Sequence, residues 1–324
     1  MPSASGARLA GCVCLLVIAS TAAEHAQQFR SGVAVVALSV SVTDGRGRNV
    51  SGLSAENFAV YEDGVQQPVS LFGSDRVPLD VAIVLDTSGS MASLLPLVKH
   101  GARDLLARLR DGDRATMIEV KRGVEVRQEL TRDLASVGSA IDAVGASGTT
   151  ALYDGLYLSL RQFERERRLH PELRRQALVL FSDGYDTTSH LGFDEIAGLA
   201  RSADVAVYTI TPDYRYVSPL DPGFDRRRNV GWEMRTLSRD TGGLAFFPAK
   251  AEDLKPVYDT IAHDLVNQYA VGYLVPRPDD SRKFRQVAVR LVPPVKGVAR
   301  TRVGYATAGD DAAAMLPDGS PPRD

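Results

Sequence analysis

The chain has 324 residues, 44% of them hydrophobic and 24% charged, which suits a folded globular protein and excludes a mainly disordered or collagen-like one. Lysine and arginine total 38 against 40 aspartates and glutamates, so a formal net charge of -2 gives no global reason to expect nucleic-acid binding. The two cysteines, Cys12 and Cys14, stand close together near the start, which excludes a four-cysteine zinc site and a disulfide framework.

Arg8 precedes an uncharged, mostly apolar run from Leu9 to Ser20, and Thr21, Ala22 and Ala23 follow as small residues. A basic start, a short apolar run and a small-residue end describe a secretory signal peptide over 1–23, and the run is too short to span a bilayer as a helix. Leu9-Ala10-Gly11-Cys12 has the residue types of a lipobox, but Cys12 sits near the beginning of the apolar run rather than at its end. Cleavage after Ala23, or a few residues later, leaves an exported chain without a thiol. No later segment is apolar enough to be a transmembrane helix.

From Val36 to Val42 apolar residues alternate with small or polar ones, the period of a half-buried strand, and Asp44-Gly45 ends it. Phe58–Tyr61 and Val69–Phe72 read as short strands divided by the turn Asp63-Gly64. At Leu79 the pattern changes. Leu79–Leu85 is nearly continuous apolar, as expected of a parallel strand buried on both faces. Met91, Leu94, Leu95, Val98, Ala102, Leu105, Leu106 and Leu109 then make one helical stripe. Strands at Ala115–Val120 and Val124–Leu130 precede helices from Leu134 and from Leu152 to about Arg167. Ala177–Phe181 is a second buried strand, followed by a helix near Phe193–Ser202 and a strand at Val205–Ile210. Asp213–Asn229, with Arg226-Arg227-Arg228, reads as a loop. Gly231–Arg239 reads as a helix, Leu244–Phe247 as a short strand and Asp253–Gln268 as a helix. The end returns to strands at Tyr269–Val275, around Val287–Leu291 and at Val298–Tyr305.

The expected fold class is therefore α/β, with a doubly wound, mostly parallel sheet and a flanking antiparallel β domain built from the N- and C-terminal segments. The expected boundaries are a signal peptide at 1–23, β segments at 34–75 and 268–306, an α/β domain at 78–267 and a disordered tail at 307–324.

The chemistry concentrates in three places. Asp86-Thr87-Ser88-Gly89-Ser90 follows a buried strand and precedes a helix. Gly148-Thr149-Thr150 precedes the helix at Leu152, and Ser182-Asp183-Gly184 ends the strand Ala177–Phe181. In open α/β sheets ligands bind at the carboxyl ends of strands, where all three lie. Their side chains offer only oxygen, a set that suits Mg²⁺ or Mn²⁺ rather than zinc. Each has a local alternative: Ser88 and Thr150 could cap the following helices, and Asp183-Gly184 could be a plain turn.

These three segments, in this order, resemble the von Willebrand factor A domain and its metal-ion-dependent adhesion site. The flanks VTDGRGRNVSGLSAENFAVYEDG and LVNQYAVGYLVP are similar to those of secreted bacterial proteins of the VWFA-related type. The resemblance covers roughly residues 34–305. It implies that Ser88, Ser90 and Thr150 coordinate the metal directly, with Thr149 as the alternative to Thr150, while Asp86 and Asp183 act mostly through bound water. Neutral hydroxyls leave much of the metal's charge uncompensated, so an Asp or Glu carboxylate of a protein partner could fill an open position. Gly89, Thr149, Tyr185 and Asp186 are expected partner contacts.

No Gly-x-Ser-x-Gly elbow, Gly-x-x-x-x-Gly-Lys loop or His-Glu-x-x-His pair occurs. An aspartyl phosphatase would need a second acid at position 88, which is Ser88. The expected function is thus non-enzymatic: an exported, metal-dependent, adhesion-type binding module without transmembrane helix or nucleic-acid role. A surface or envelope assembly component with a purely structural metal is the alternative, and a metal-dependent hydrolase is a third reading.

Overall fold

In the computed structural model, which describes residues 33–73, 77–170, 172–212, 224–276 and 284–306, the alternation around Val36 becomes strand β1 (Val33–Thr43), with Val36, Leu38, Val40 and Val42 turned inward. The signal-peptide and tail readings lie outside the described residues, as does 213–223. Strands β2 (Phe58–Glu62) and β3 (Val65–Gln67) form a hairpin. Asp63 and Gly64 both have positive φ (46° and 82°), as a two-residue type I′ turn requires. Asp63-Gly64 therefore joins neighbours in one sheet. The strand expected at Val69–Phe72 is β4 (Leu71–Gly73), beyond Pro68 and in another sheet.

Strand β5 (Leu79–Asp86) is buried along its whole length. Helix α1 (Leu95–Leu106) is shorter than its apolar stripe suggested. Gly89–Met91 is a single 3-10 turn, and Pro96 in the first turn fixes the helix start. The chain continues through β6 (Arg114–Val120), β7 (Val124–Thr131), α2 (Leu134–Ala143), α3 (Leu152–Leu169), β8 (Arg175–Phe181), α4 (Phe193–Ser202) and β9 (Ala206–Ile210). Helix α5 (Phe224–Thr241) overturns the end of the expected loop, because 224–229 are helical. Strand β10 (Ala245–Phe246), helix α6 (Leu254–Val266) and strands β11 (Tyr269–Pro276), β12 (Phe284–Leu291), β13 (Val298–Arg300) and β14 (Gly304–Ala306) complete the order. The single strand expected at Val298–Tyr305 is two strands in different sheets. Val303 N–H donates to the Asp240 carbonyl at 3.0 Å, tying the chain to the end of α5 as it crosses.

The central sheet has the order β10-β9-β8-β5-β6-β7, parallel except for β7. Along β5, Val81, Ile83 and Leu85 face α1, α2 and α6, while Ala82 and Val84 face α3, α4 and α5. A strand covered on both faces has no solvent side, which explains its unbroken apolar run. The other two sheets, β13-β1-β11-β4 and β14-β12-β2-β3, are antiparallel. N- and C-terminal segments pair directly: β1 with β11 from Val33↔Pro276 to Val40↔Tyr269, and β2 with β12 from Phe58↔Leu291 to Glu62↔Val287. Val40, Val60, Val271 and Val289 share the core between these two sheets. All described residues belong to one compact unit, Val33–Asp324.

A buried polar network joins the antiparallel and α/β parts. Asp264 of α6 accepts hydrogen bonds from Tyr208 of β9 (2.7 Å) and from Arg300 of β13. Gln268 donates to the Tyr208 hydroxyl at 3.0 Å and to Ser41 of β1 at 3.4 Å.

Candidate metal centre

Strands β6 and β8 flank β5 on opposite sides, so the carboxyl end of β5 opens into the crevice where doubly wound sheets bind ligands. Asp86 is the last residue of β5 and fully buried. The loop it begins is tied to its neighbours by the main chain. Thr87 N–H donates to Val120 O at 2.9 Å, and Gly89 N–H donates to Gly148 O at 3.0 Å. A Cβ on Gly89 would stand 3.5 Å from the Gly148 carbonyl, so the two loops touch through bare backbone. Ala151 N–H in turn bonds Lys121 O at 2.6 Å. The third loop is held by Ser182, whose hydroxyl donates to Asp86 Oδ2 at 2.6 Å and accepts from Gly184 N–H at 2.9 Å.

These contacts decide between the local readings. Ser88 precedes the 3-10 turn, yet its side chain makes no capping bond. Its hydroxyl instead lies 3.0 Å from that of Ser90, and its N–H donates to Asp86 Oδ1 at 2.9 Å. Thr150 does not cap α3 either. The N-terminus of α3 is served from another loop: Asp186 Oδ1 accepts Leu152 N–H at 2.8 Å, and Ser189 Oγ accepts Asp154 N–H at 3.1 Å. Thr150 is buried and Thr149 exposed. The Thr150 main chain is pinned by Thr187, whose hydroxyl accepts from its N–H at 2.9 Å. Asp183 Oδ1 accepts Tyr185 N–H at 3.1 Å, so the turn reading holds for one of its oxygens. Asp186, expected to face a partner, spends Oδ1 on the α3 N-terminus and on the Ser189 hydroxyl.

Burial pushes the Asp86 carboxyl up to about 6; hydrogen bonds from Ser182 and Ser88 oppose this, and the nearby charge of Asp183 adds to it. A buried carboxylate with another beside it and no basic group in contact is an environment a cation relieves. The donors around it are hydroxyls, and among the described residues no group of three or more His, Cys, Asp or Glu side chains could hold a metal. A metal here would thus rely on serine and threonine oxygens as much as on carboxylates, as hard cations allow.

Two supporting residues were not assigned a role from sequence. Ser182 stood in the motif as the neighbour of Asp183. Glu119 of β6 accepts from the Thr87 hydroxyl at 2.7 Å and pairs with Lys121 at 2.8 Å, fixing the base of the first loop. It had no signal, because its partner Thr87 lies 32 positions away.

Residues 81–185 match the family model described as the von Willebrand factor type A domain. Over this segment the chain is similar to the von Willebrand factor type A family. The match takes in Asp86, Ser88, Ser90, Thr150 and Asp183. An uncharacterized protein of Synechocystis sp. is 32% identical over 185 residues, 48% of this chain and 43% of that protein. The matched stretch thus spans less than half of that relative. Among solved structures, a von Willebrand factor type A protein from Catenulispora acidiphila is 12% identical with a TM-score of 0.49, covering 89% of this chain and 76% of its own. Proximal thread matrix protein 1 from the mussel byssus, solved with a zinc-occupied MIDAS motif, is 18% identical with a TM-score of 0.47, covering 63% and 50%. Among the described residues no helix is long and apolar enough to cross a membrane.

Proposed function

We propose that this protein is an exported, divalent-metal-dependent protein-binding module. Ser88, Ser90 and Thr150 hold Mg²⁺ or Mn²⁺ through their hydroxyls, and Asp86 and Asp183 supply the negative charge around it. The observation that carries this reading is the meeting of three loops at the carboxyl end of β5, with the Ser88 and Ser90 hydroxyls 3.0 Å apart instead of spent on helix caps. The bound metal would act as a Lewis acid toward a carboxylate. The chain's own residues orient the site: Ser182 fixes one Asp86 oxygen, the Ser88 N–H fixes the other, and the Gly89 N–H ties the first loop to the Gly148 carbonyl. Because the direct ligands Ser88, Ser90 and Thr150 are neutral, while Asp86 and Asp183 act mostly through bound water, a partner's Asp or Glu would give the metal an anionic ligand of its own.

Such modules bind rather than transform, and the Ser182 hydroxyl that meets Asp86 is itself held by the Gly184 N–H at 2.9 Å. The export reading rests on the N-terminal apolar run, and the domain limits given above are part of the same proposal.

A glutamate-bearing peptide titrated into the full chain tests the carboxylate role. Binding is expected in Mg²⁺ and lost in EDTA, and replacing glutamate by glutamine is expected to abolish it. Binding that survives EDTA would favour the alternative, an assembly component whose metal serves only the fold.

A further inference from the structure

The single tryptophan of the chain, Trp232, is 58% exposed on α5, although the same helix buries Val230, Met234 and Leu237. Its ring meets Phe193 at the start of α4, with centroids 5.5 Å apart, and Phe193 meets Tyr153 in the first turn of α3 at 6.3 Å. Tyr153 lies three residues beyond Thr150. Asp186, three beyond Asp183, holds the adjoining Leu152 N–H at 2.8 Å. An aromatic ridge therefore begins at two of the metal-centre loops and runs outward across the first turns of α3 and α4 to α5.

The ridge is flanked by negative charge. Glu233, next to Trp232, accepts the Tyr153 hydroxyl at 2.8 Å. Its carboxyl is raised mainly by burial, and also by the charges of Asp186 and Asp194, which places the three acids within electrostatic reach of one another. Among the described residues none of the three is ion-paired with a lysine, arginine or histidine. The exposed ring of Trp232, beside carboxylates that among the described residues carry hydrogen bonds but no ion pair, attracts a cation more than an aliphatic or acidic group.

We propose that the Tyr153–Phe193–Trp232 ridge is a second contact for the partner and receives an arginine or lysine side chain of the same protein that gives its carboxylate to the metal. The inference rests on the metal-dependent reading above and adds the partner's chemistry: an acidic residue with a basic residue displaced from it along the ridge. A purely acidic partner would meet Glu233 and Asp194 as like charges. A purely apolar one would leave them without a counter-charge.

The test uses the full chain and acetylated, amidated peptides carrying one glutamate and, beyond glycine spacers of increasing length, arginine, leucine or a second glutamate. Calorimetry in Mg²⁺ measures affinity, and the fluorescence of Trp232, the only tryptophan, reports on the ridge itself. At the best spacing the arginine peptide is expected to bind about five-fold or more tightly than the leucine peptide, the size of an exposed cation–π contact with a surface ion pair. That advantage should vanish in Trp232→Ala and shrink in Glu233→Gln, while Mg²⁺ still stabilises both variants. Equal or tighter binding of the leucine peptide, or an advantage that survives Trp232→Ala, would overturn the proposal. If glutamate peptides bind only with Mg²⁺ but show no arginine preference, the ridge fails and the metal reading stands. If no peptide binds in Mg²⁺, the metal reading fails and the ridge with it.

Discussion

Asp86 carries the site's largest electrostatic cost, and its pH dependence has a definite sign. Burial disfavours the charge and pushes its carboxyl up to about 6 in the folded chain from the ordinary 3.8. A raised acid pKa means that the folded state binds the proton more tightly than the unfolded one. The contribution is therefore favourable below 3.8 and is lost as pH rises to about 6. At about 1.36 kcal/mol per unit, the loss is on the order of 3 kcal/mol for the metal-free protein. Urea unfolding in EDTA should show Asp86→Asn gaining stability over the natural chain at pH 7.5, with the difference shrinking toward pH 4.5. A difference independent of pH would show that Asp86 is not held in this state. Metal binding should weaken as pH falls through about 6, since the proton and the cation compete for one carboxylate. At this scale the sequence was informative where spacing was: Asp86, Ser88 and Ser90 follow a strand end, and their separations put them on one turn. It was silent on Glu119, whose partner Thr87 lies 32 positions away, and on Ser182, whose partner Asp86 lies 96 positions away.

Between elements, α1 and α6 pack closely at Gly101. A Cβ on Gly101 would fall 1.7 Å from the Tyr258 ring, a separation no side chain tolerates. Tyr258 is buried and its ring also meets Phe181 at 5.6 Å, so it has little room to retreat. Gly101→Ala should therefore cost roughly 1–3 kcal/mol, as overpacking of a core does. The expected readout is a lower urea midpoint in the metal-free protein. An unchanged midpoint would mean the two helices are not packed as described. Periodicity located α1 and α6 and most strands, since each buries a stripe or face that local spacing reveals. It failed where partners are distant. The β3 strand is only Val65–Gln67 and exists because the type I′ turn at Asp63-Gly64 folds it onto β2. The break between β13 and β14 exists because Asp240, far away in sequence, binds Val303.

At the scale of the molecule, the two ends of the chain close into a pair of antiparallel sheets beneath a doubly wound layer. The buried contacts of Asp264, Arg300, Tyr208 and Gln268 bind the two parts into one unit. The change of pattern at Leu79 was visible in the sequence, because strands buried on both faces read differently from half-buried ones. The division of the terminal strands between two sheets was not, because alternation reveals an inner face without naming the strand beside it. A ligand that binds only the folded chain raises its stability by mass action, about 2.7 kcal/mol at one hundred times the dissociation constant. The central claim therefore has a direct test in thermal unfolding of the whole chain with and without Mg²⁺. The natural chain should gain a concentration-dependent rise in Tm, and the double variant Asp86→Ala with Ser88→Ala, folded by circular dichroism, should gain none. Equal stabilisation of both would contradict a metal centre built on Asp86, Ser88, Ser90, Thr150 and Asp183.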